Sequence, residues 1–376
     1  MNGGRKLAFI VTEDWFFASH FLPMIAAASA AGFEPVVITR VRDHAGIIEA
    51  AGARVIAFEA DRRSLDPIAV AMSVKRLADI LRRERIGHVH LIALRSILIG
   101  GAAASLAGIR KRVFAVTGGG ILTARKDRLG RFSARSIVCL IRKALETSET
   151  QYLFENPDDP VSFGLTPGDA RVTIVGGAGI DPDHFRPMPM PEIPPLKVAI
   201  VARMVWSKGI DLAVEAVTRA RARGGEIELS LFGAPDAQNP KSIPESTLQS
   251  WSAREGIVWH GVATDVRTVW NVNHVACLPS RGGEGLPRTL LEAAACGRAL
   301  LTTDVPGCRS FVRDRVDGLV VAPDDVTALE DALVSLWLDP DRVRSYGVSA
   351  RDRVERGFTE KDVAAATTAL YRRWGS

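Results

Sequence analysis

Short apolar runs alternate with helical periods along this chain. KLAFIVT, residues 6–12, lacks the every-second-residue polarity of a half-exposed strand and predicts a buried one. A helical pattern follows from about Ser19 to Ala31 and stops at Gly32. EPVVITR, ARVIAFEA, HVHLIAL and KRVFAVT repeat the strand signal, with helical segments between them. Continuous apolar strands alternating with helices imply a parallel sheet covered on both faces. The first half of the chain therefore reads as one doubly wound α/β unit.

The pattern then breaks. DPDHFRPMPMPEIPP holds six prolines between Asp181 and Pro195 and cannot sustain regular structure, so it reads as a linker. After it the alternation resumes. LKVAIVAR, IELSLFG, IVWHG, HVACLPS, RALLTT and GLVVAP read as strands, with helices over Ile210–Arg223, near Glu245–Arg254 and after Glu284. The expected organisation is a Rossmann-like domain over 1–182, a linker over 183–195, a second Rossmann-like domain over 196–358, and a C-terminal helix over 359–376 packing back on the first domain. Two such domains facing a central cleft make that cleft the expected ligand site.

Composition adds little to this picture. The hydrophobic fraction of 47% and charged fraction of 24% are those of an ordinary globular protein. A net charge of +5 is mild, so an anionic partner must be met by a local cluster, and nothing points to nucleic acid. Cys139, Cys277, Cys296 and Cys308 form no CxxC pair and no metal-ligand spacing, and read as free thiols of a reducing compartment, the cytoplasm. The apolar run at the N-terminus ends at Glu13 after too few residues for a secretory leader, and no stretch reads as a transmembrane span.

The candidate chemistry lies in the second half. In VARMVWSKGID, Arg203 stands at the end of a strand, and Lys208 with Gly209 opens the next helix. Two cations and a helix N-terminus at one sheet edge suit an anion, although Lys208 alone fits a solvated face as well. In SRGGEGLPRTLLEAAACG, a glycine-rich turn leads through Pro287 into a helix, with Glu284 on the turn and Glu292 eight positions later. Backbone N–H groups there can hold a phosphate, and glycine lets it approach closely. Carboxylates beside a phosphate make sense as acceptors of sugar hydroxyls, one from a ribose and one from a second sugar. Neither glutamate carries this reading without the turn, the proline and the upstream cations in this order.

At this point the second half resembles the family 4 retaining glycosyltransferases of the GT-B fold. VARMVWSKGID is similar to their donor-diphosphate segment, and PSRGGEGLPRTLLEAAACGRALLTTDVPGCRSFVRDRVDGLVVAPDD to their E-x7-E region and its continuation. TTDVPGCR, and more loosely VFAVTGGGIL and FENPDD in the first half, resemble a branch that builds bacterial surface polysaccharides on polyprenyl-diphosphate carriers. The resemblance implies that Arg203 and Lys208 bind the donor diphosphate, and that Glu284 contacts the transferred sugar beside Gly285, Leu286 and Pro287. It further implies Glu292 on the ribose, and Gly233, His260, Gly261 and Val262 around the base. It implies work without a metal or other cofactor, and no DxD motif stands at a strand end.

The first half is less legible. The loop where many relatives carry an acceptor-facing histidine reads VTGGGIL here, so Gly118, Gly119 and Gly120 line the acceptor side without one. His20 is a candidate for the same side, or equally a satisfied histidine at a helix start. His88 and His90 alternate on one strand and read as structural. From Arg125 to Lys143 seven basic residues stand against one acid, with Ile137, Val138, Leu140 and Ile141 between them. Such a segment suits peripheral contact with an anionic membrane, or is an ordinary helix with a solvated basic side. The expected function is retaining transfer of a hexose or N-acetylhexosamine from a nucleotide-sugar donor, UDP-linked, to a polyprenyl-diphosphate-linked acceptor in surface polysaccharide assembly. The alternatives are a soluble glycan or metabolite acceptor, and a non-catalytic nucleotide-sugar binding protein. A Rossmann oxidoreductase is disfavoured, since VTEDWFFASH stands where GxGxxG belongs.

Overall fold

The computed structural model describes residues 5–59, 66–118, 128–236 and 239–375. The chain forms two compact units. One comprises the residues up to Gly179 together with the segment from Glu360 onward, and the other runs from Ile180 to Thr359.

The first unit is built on β1 (Arg5–Glu13), β2 (Phe33–Arg40), β3 (Arg54–Ala57), β4 (His88–Ile92), β5 (Lys111–Val116), β6 (Thr150–Phe154) and β7 (Val172–Ile174), ordered β3-β2-β1-β4-β5-β6-β7. All neighbours pair in parallel. Side chains alternate across the sheet as a strand requires: Ala8, Ile10, Val36 and Ile38 enter one apolar layer, and Leu7, Phe9, Val11 and Val37 the other. Both layers are apolar, which is why β1 carries no polar alternation.

Three features depart from the sequence pattern. β6 and β7 escape it because TQYLF opens on two polar residues and VTI is only three residues long. The helix expected from Ser19 to Ala31 is two helices, Asp14–His20 and Leu22–Ala30, meeting at Phe21, with Pro23 in the first turn of the second, where its missing N–H costs nothing. The proline-rich stretch read as a linker lies inside the second unit. The Arg298 guanidinium, itself fully buried, donates to the carbonyls of Met188 and Pro189 at 3.0 Å each. Arg351 holds the carbonyls of Pro182, at 3.1 Å, and Phe185.

Helix Glu360–Arg372 belongs to the first unit. Its Tyr371 hydroxyl lies 2.6 Å from His90 Nδ1, and Trp374 just beyond donates its indole N–H to the Glu149 carbonyl at 2.9 Å. Both rings are buried in the layer that holds Phe9 and Phe33.

The second unit comprises β8 (Leu196–Val201), β9 (Ile227–Phe232), β10 (Ile257–Gly261), β11 (Val275–Leu278), β12 (Ala299–Thr303) and β13 (Gly318–Val321), ordered β10-β9-β8-β11-β12-β13 and all parallel. From β8 the chain winds outward to β10, and from β11 it winds the other way to β13. The order therefore reverses between β8 and β11, and the loops leaving those two strands open side by side, where ligands bind in such sheets.

Candidate functional site

The loops after β8 and β11 carry the predicted chemistry of the second unit, and glycine brings them together. Gly209 has φ +68°, and a Cβ there would lie 1.9 Å from the Pro279 carbonyl oxygen. No other residue permits both the left-handed backbone and this approach. The contact sets Trp206–Lys208 against the start of the glycine-rich turn.

The result is a compact polar cluster. Lys208 Nζ donates to both Glu284 carboxylate oxygens at 2.8 Å, and Ser280 Oγ donates to Glu284 Oε1 at 2.7 Å. Both partners of the ion pair are largely buried. An ammonium has three protons, so Lys208 can hold Glu284 and still donate to an anion above it. Behind the turn, Thr303 Oγ1 donates to the Ser280 carbonyl, and Gly307 stands so close that a Cβ would lie 2.0 Å from the Gly285 carbonyl oxygen. TTDVPGCR is thus a backing wall for the turn that carries Glu284.

Other predicted residues are engaged by other partners. Arg203 Nη1 reaches Asp236 Oδ2 at 2.8 Å, with half its side chain exposed. Glu292 accepts from Arg288 Nε at 2.8 Å, one turn earlier on helix Arg288–Ala295, and burial raises its carboxyl pKa. Pro287 caps that helix from outside its first turn. Leu286 is buried. At the ends of β9 and β10, Gly233 donates its N–H to the Gly261 carbonyl at 2.7 Å and accepts from Trp259 Nε1 at 2.9 Å. His260 stacks on Phe232 at 4.5 Å and 8°, burial lowers its pKa, and Val262 beside it is exposed.

In the first unit, His20 Nδ1 lies 2.6 Å from Ser19 Oγ and its ring packs on Phe16. Gly118 has φ +109°, whereas Gly119 and Gly120 lie outside the described residues. FENPDD starts on the last residue of β6, and Glu155, Asn156 and Asp159 are buried while Pro157 is exposed. Asn156 Nδ2 donates to Asp159 Oδ2 at 2.9 Å, and burial pushes the Asp159 carboxyl up to about 6. His88 and His90 stay within the packing of β4. Of the basic segment, Arg125, Lys126 and the side chains of Arg128 and Arg131 lie outside the described residues. Arg142 is not on a solvated face: it binds Glu146 and the carbonyls of Phe163 and Gly164. Arg135 and Lys143 are exposed, as are Phe132 and Leu140. Among the described residues no helix is long and apolar enough to cross a membrane, and no group of three or more His, Cys, Asp or Glu could hold a metal ion.

Sequence reasoning overlooked Ser280, Arg281, Asp211, Asp324 and Thr303. All five lie inside the stretches quoted above, but nothing in those stretches assigns them a partner. Their roles come from contacts between loops 23 to 75 residues apart in the chain. No periodicity reports such contacts.

Two family profiles match the chain. The one described as "Glycosyl transferases group 1" covers residues 195–339, and "Glycosyl transferase 4-like" covers residues 6–150. The chain is 26% identical to the N,N'-diacetylbacillosaminyl-diphospho-undecaprenol alpha-1,3-N-acetylgalactosaminyltransferase of Campylobacter jejuni, over 94% of this chain and 95% of that one. It is 34% identical to the alpha-maltose-1-phosphate synthase of Mycolicibacterium smegmatis, over 61% of this chain and 58% of that protein's length. The crystal structure of Anabaena HepE in complex with UDP-glucose shares its fold with a TM-score of 0.78, at 12% identity, over 98% of this chain and 99% of that one.

Proposed function

From the premise that this chain is a family 4 glycosyltransferase of the GT-B fold, we propose that it transfers a sugar from a UDP-linked donor to a polyprenyl-diphosphate-linked acceptor with retention of anomeric configuration. The observation that carries the donor half is the Lys208–Glu284 pair at 2.8 Å, at the point where the strand order of the second sheet reverses. In this reading Lys208 and Arg203 face the donor diphosphate. The bond from the anomeric carbon to the diphosphate oxygen breaks, and the two cations meet the charge that develops there, a term that commonly dominates such catalysis. The acceptor hydroxyl oxygen forms its bond on the same face of the sugar and gives its proton to the departing diphosphate. Glu284 and the N–H groups of the turn hold the transferred sugar. Glu292 serves the ribose, exchanging part of its bond with Arg288 for ribose hydroxyls. Gly233, His260, Gly261 and Val262 border the base.

The acceptor half is supported by the Campylobacter relative, whose name specifies an undecaprenyl-diphosphate-linked acceptor. Phe132 and Leu140, exposed beside Arg135 and Lys143, are the groups that would rest on an anionic membrane. The name of the Mycolicibacterium relative favours a small sugar-phosphate product instead. A soluble acceptor is therefore the second reading.

A thermal-shift panel of UDP, GDP and ADP with their sugars tests the donor assignment. A ligand at a hundred times its dissociation constant stabilises the folded chain by about 2.7 kcal/mol. UDP and one UDP-sugar are expected to raise Tm. A panel without any shift counts against the site.

A further inference from the structure

Arg281 is the most heavily engaged side chain of the glycine-rich turn. Its backbone N–H donates to the Ser207 carbonyl at 2.8 Å, and Nη1 donates to the Trp206 carbonyl at 2.6 Å. Its fork clasps Asp211 through Nη1–Oδ1 at 2.7 Å and Nη2–Oδ2 at 2.8 Å. Nε reaches Asp324 Oδ1 at 2.6 Å, in the loop after β13. The Asp211 bonds, and after them the Asp324 bond, raise the guanidinium pKa despite partial burial, so the group is charged throughout.

Four segments therefore meet on one side chain: the residues just before Lys208, the helix that starts at Ile210, the loop after β13, and the turn itself. Immediately beyond Arg281 stand Gly282 at φ +130° and Gly283 at φ +81°, a backbone conformation that glycine permits, and then Glu284. Asp324 has φ +63°, a conformation in which glycine is more comfortable than aspartate. Local conformation alone does not ask for a carboxylate there, whereas the Arg281 bond does. Asp324 is mostly exposed, and a surface ion pair of that kind contributes little to stability. A planar fork bound at several points instead fixes geometry.

We infer that Arg281, held by Asp211 and Asp324, is a positioning residue that sets the distance between Lys208 and Glu284 across the donor site. This rests on the donor-site reading above. Arg281 touches neither glutamate nor lysine side chain; it acts through the backbone on either side of them. A lysine cannot replace it, because an ammonium cannot bridge Asp211, Asp324 and a carbonyl in one plane.

The test compares Arg281→Lys, Asp324→Gly, their double variant and Lys208→Ala with the parent chain. The readouts are Tm, calorimetric affinity for UDP, and kcat and KM with a UDP-sugar. Arg281→Lys is expected to lower kcat by about ten- to a hundredfold, since small displacements of reacting groups carry costs of that size. Asp324→Gly is expected to keep or raise Tm, because glycine suits its backbone, while kcat still falls several-fold. The double variant should be no worse than Arg281→Lys alone, as coupled partners are non-additive. Parent-like kcat in both single variants, with Lys208→Ala impaired, overturns this inference and leaves the donor site standing. So does a loss of activity that merely follows a loss of Tm. A Lys208→Ala variant with parent-like UDP affinity and turnover overturns the donor site, and this inference with it.

Discussion

Gly307 shows how one missing methyl group shapes the site. Its backbone angle is not left-handed, so alanine is conformationally acceptable there, but the added carbon would lie 2.0 Å from the Gly285 carbonyl oxygen and 2.8 Å from that of Glu284. Neither backbone can yield without moving Glu284. Gly307→Ala is expected to lower kcat by about tenfold or more and to cost about 1–3 kcal/mol of stability, the usual cost of overpacking. Gly168→Ala is the control: nothing lies within 4 Å of its added carbon, so both quantities should stay within about 0.5 kcal/mol of the parent. Chemical denaturation and steady-state turnover on the two variants check this. Equal behaviour of the two would mean that the turn is not held from behind.

At the level of elements, the C-terminal helix and β4 predict a pH dependence. Burial pushes His90, against Tyr371, down to about 3. Burial, and then the charges of Arg5 and Lys111, push His88 down to about 4. Both are bases whose folded pKa lies below the unfolded value near 6.5, so the unfolded chain takes up protons first as pH falls. Stability is therefore full above about pH 6.5 and is lost on acidification toward 4, by on the order of a few kcal/mol by pH 5. Urea denaturation at pH 7 and pH 5 measures the slope, and His90→Gln, which cannot titrate, should flatten it. An unchanged slope would place the acid sensitivity elsewhere. Elements also mark how far the sequence could be read. β8 to β13 are visible because each is a short, mainly apolar run between turn residues, with Lys197, Glu228 and Ser230 as single polar interruptions, and the Lys208 and Glu284 loops follow from where those runs end. β6, β7 and the docking of the proline-rich stretch on Arg298 and Arg351 are not visible. Two polar residues hide the start of one strand, the other is only three residues long, and an arginine more than a hundred residues away leaves no local pattern. Arg281 is hidden for the same reason, since its partners lie 70 and 43 residues distant.

For the whole molecule, the acceptor reading makes a prediction about surfaces. Arg142 is committed to Glu146 and to two carbonyls, so replacing it would disturb the fold rather than probe a membrane contact. Phe132→Ser with Arg135→Ser and Lys143→Ser removes apolar and charged surface that the fold does not use. This variant should bind phosphatidylglycerol vesicles more weakly, by about 1 kcal/mol for each charge removed, and what binding remains should depend less on salt. Sedimentation equal to the parent's would favour the soluble acceptor.

The central claim is that Glu284 serves the transferred sugar and Glu292 the nucleotide, within one donor site. A paired titration and turnover assay on Glu284→Gln and Glu292→Gln tests it most directly. Glu292→Gln should weaken UDP and the UDP-sugar alike, because the ribose is common to both. Glu284→Gln should leave UDP affinity nearly intact and lower kcat by about ten- to a hundredfold, the worth of a charged hydrogen bond of about 1.5–3 kcal/mol made mainly in the transition state. Matching losses of UDP affinity in the two variants, or full turnover in Glu284→Gln, would contradict the account.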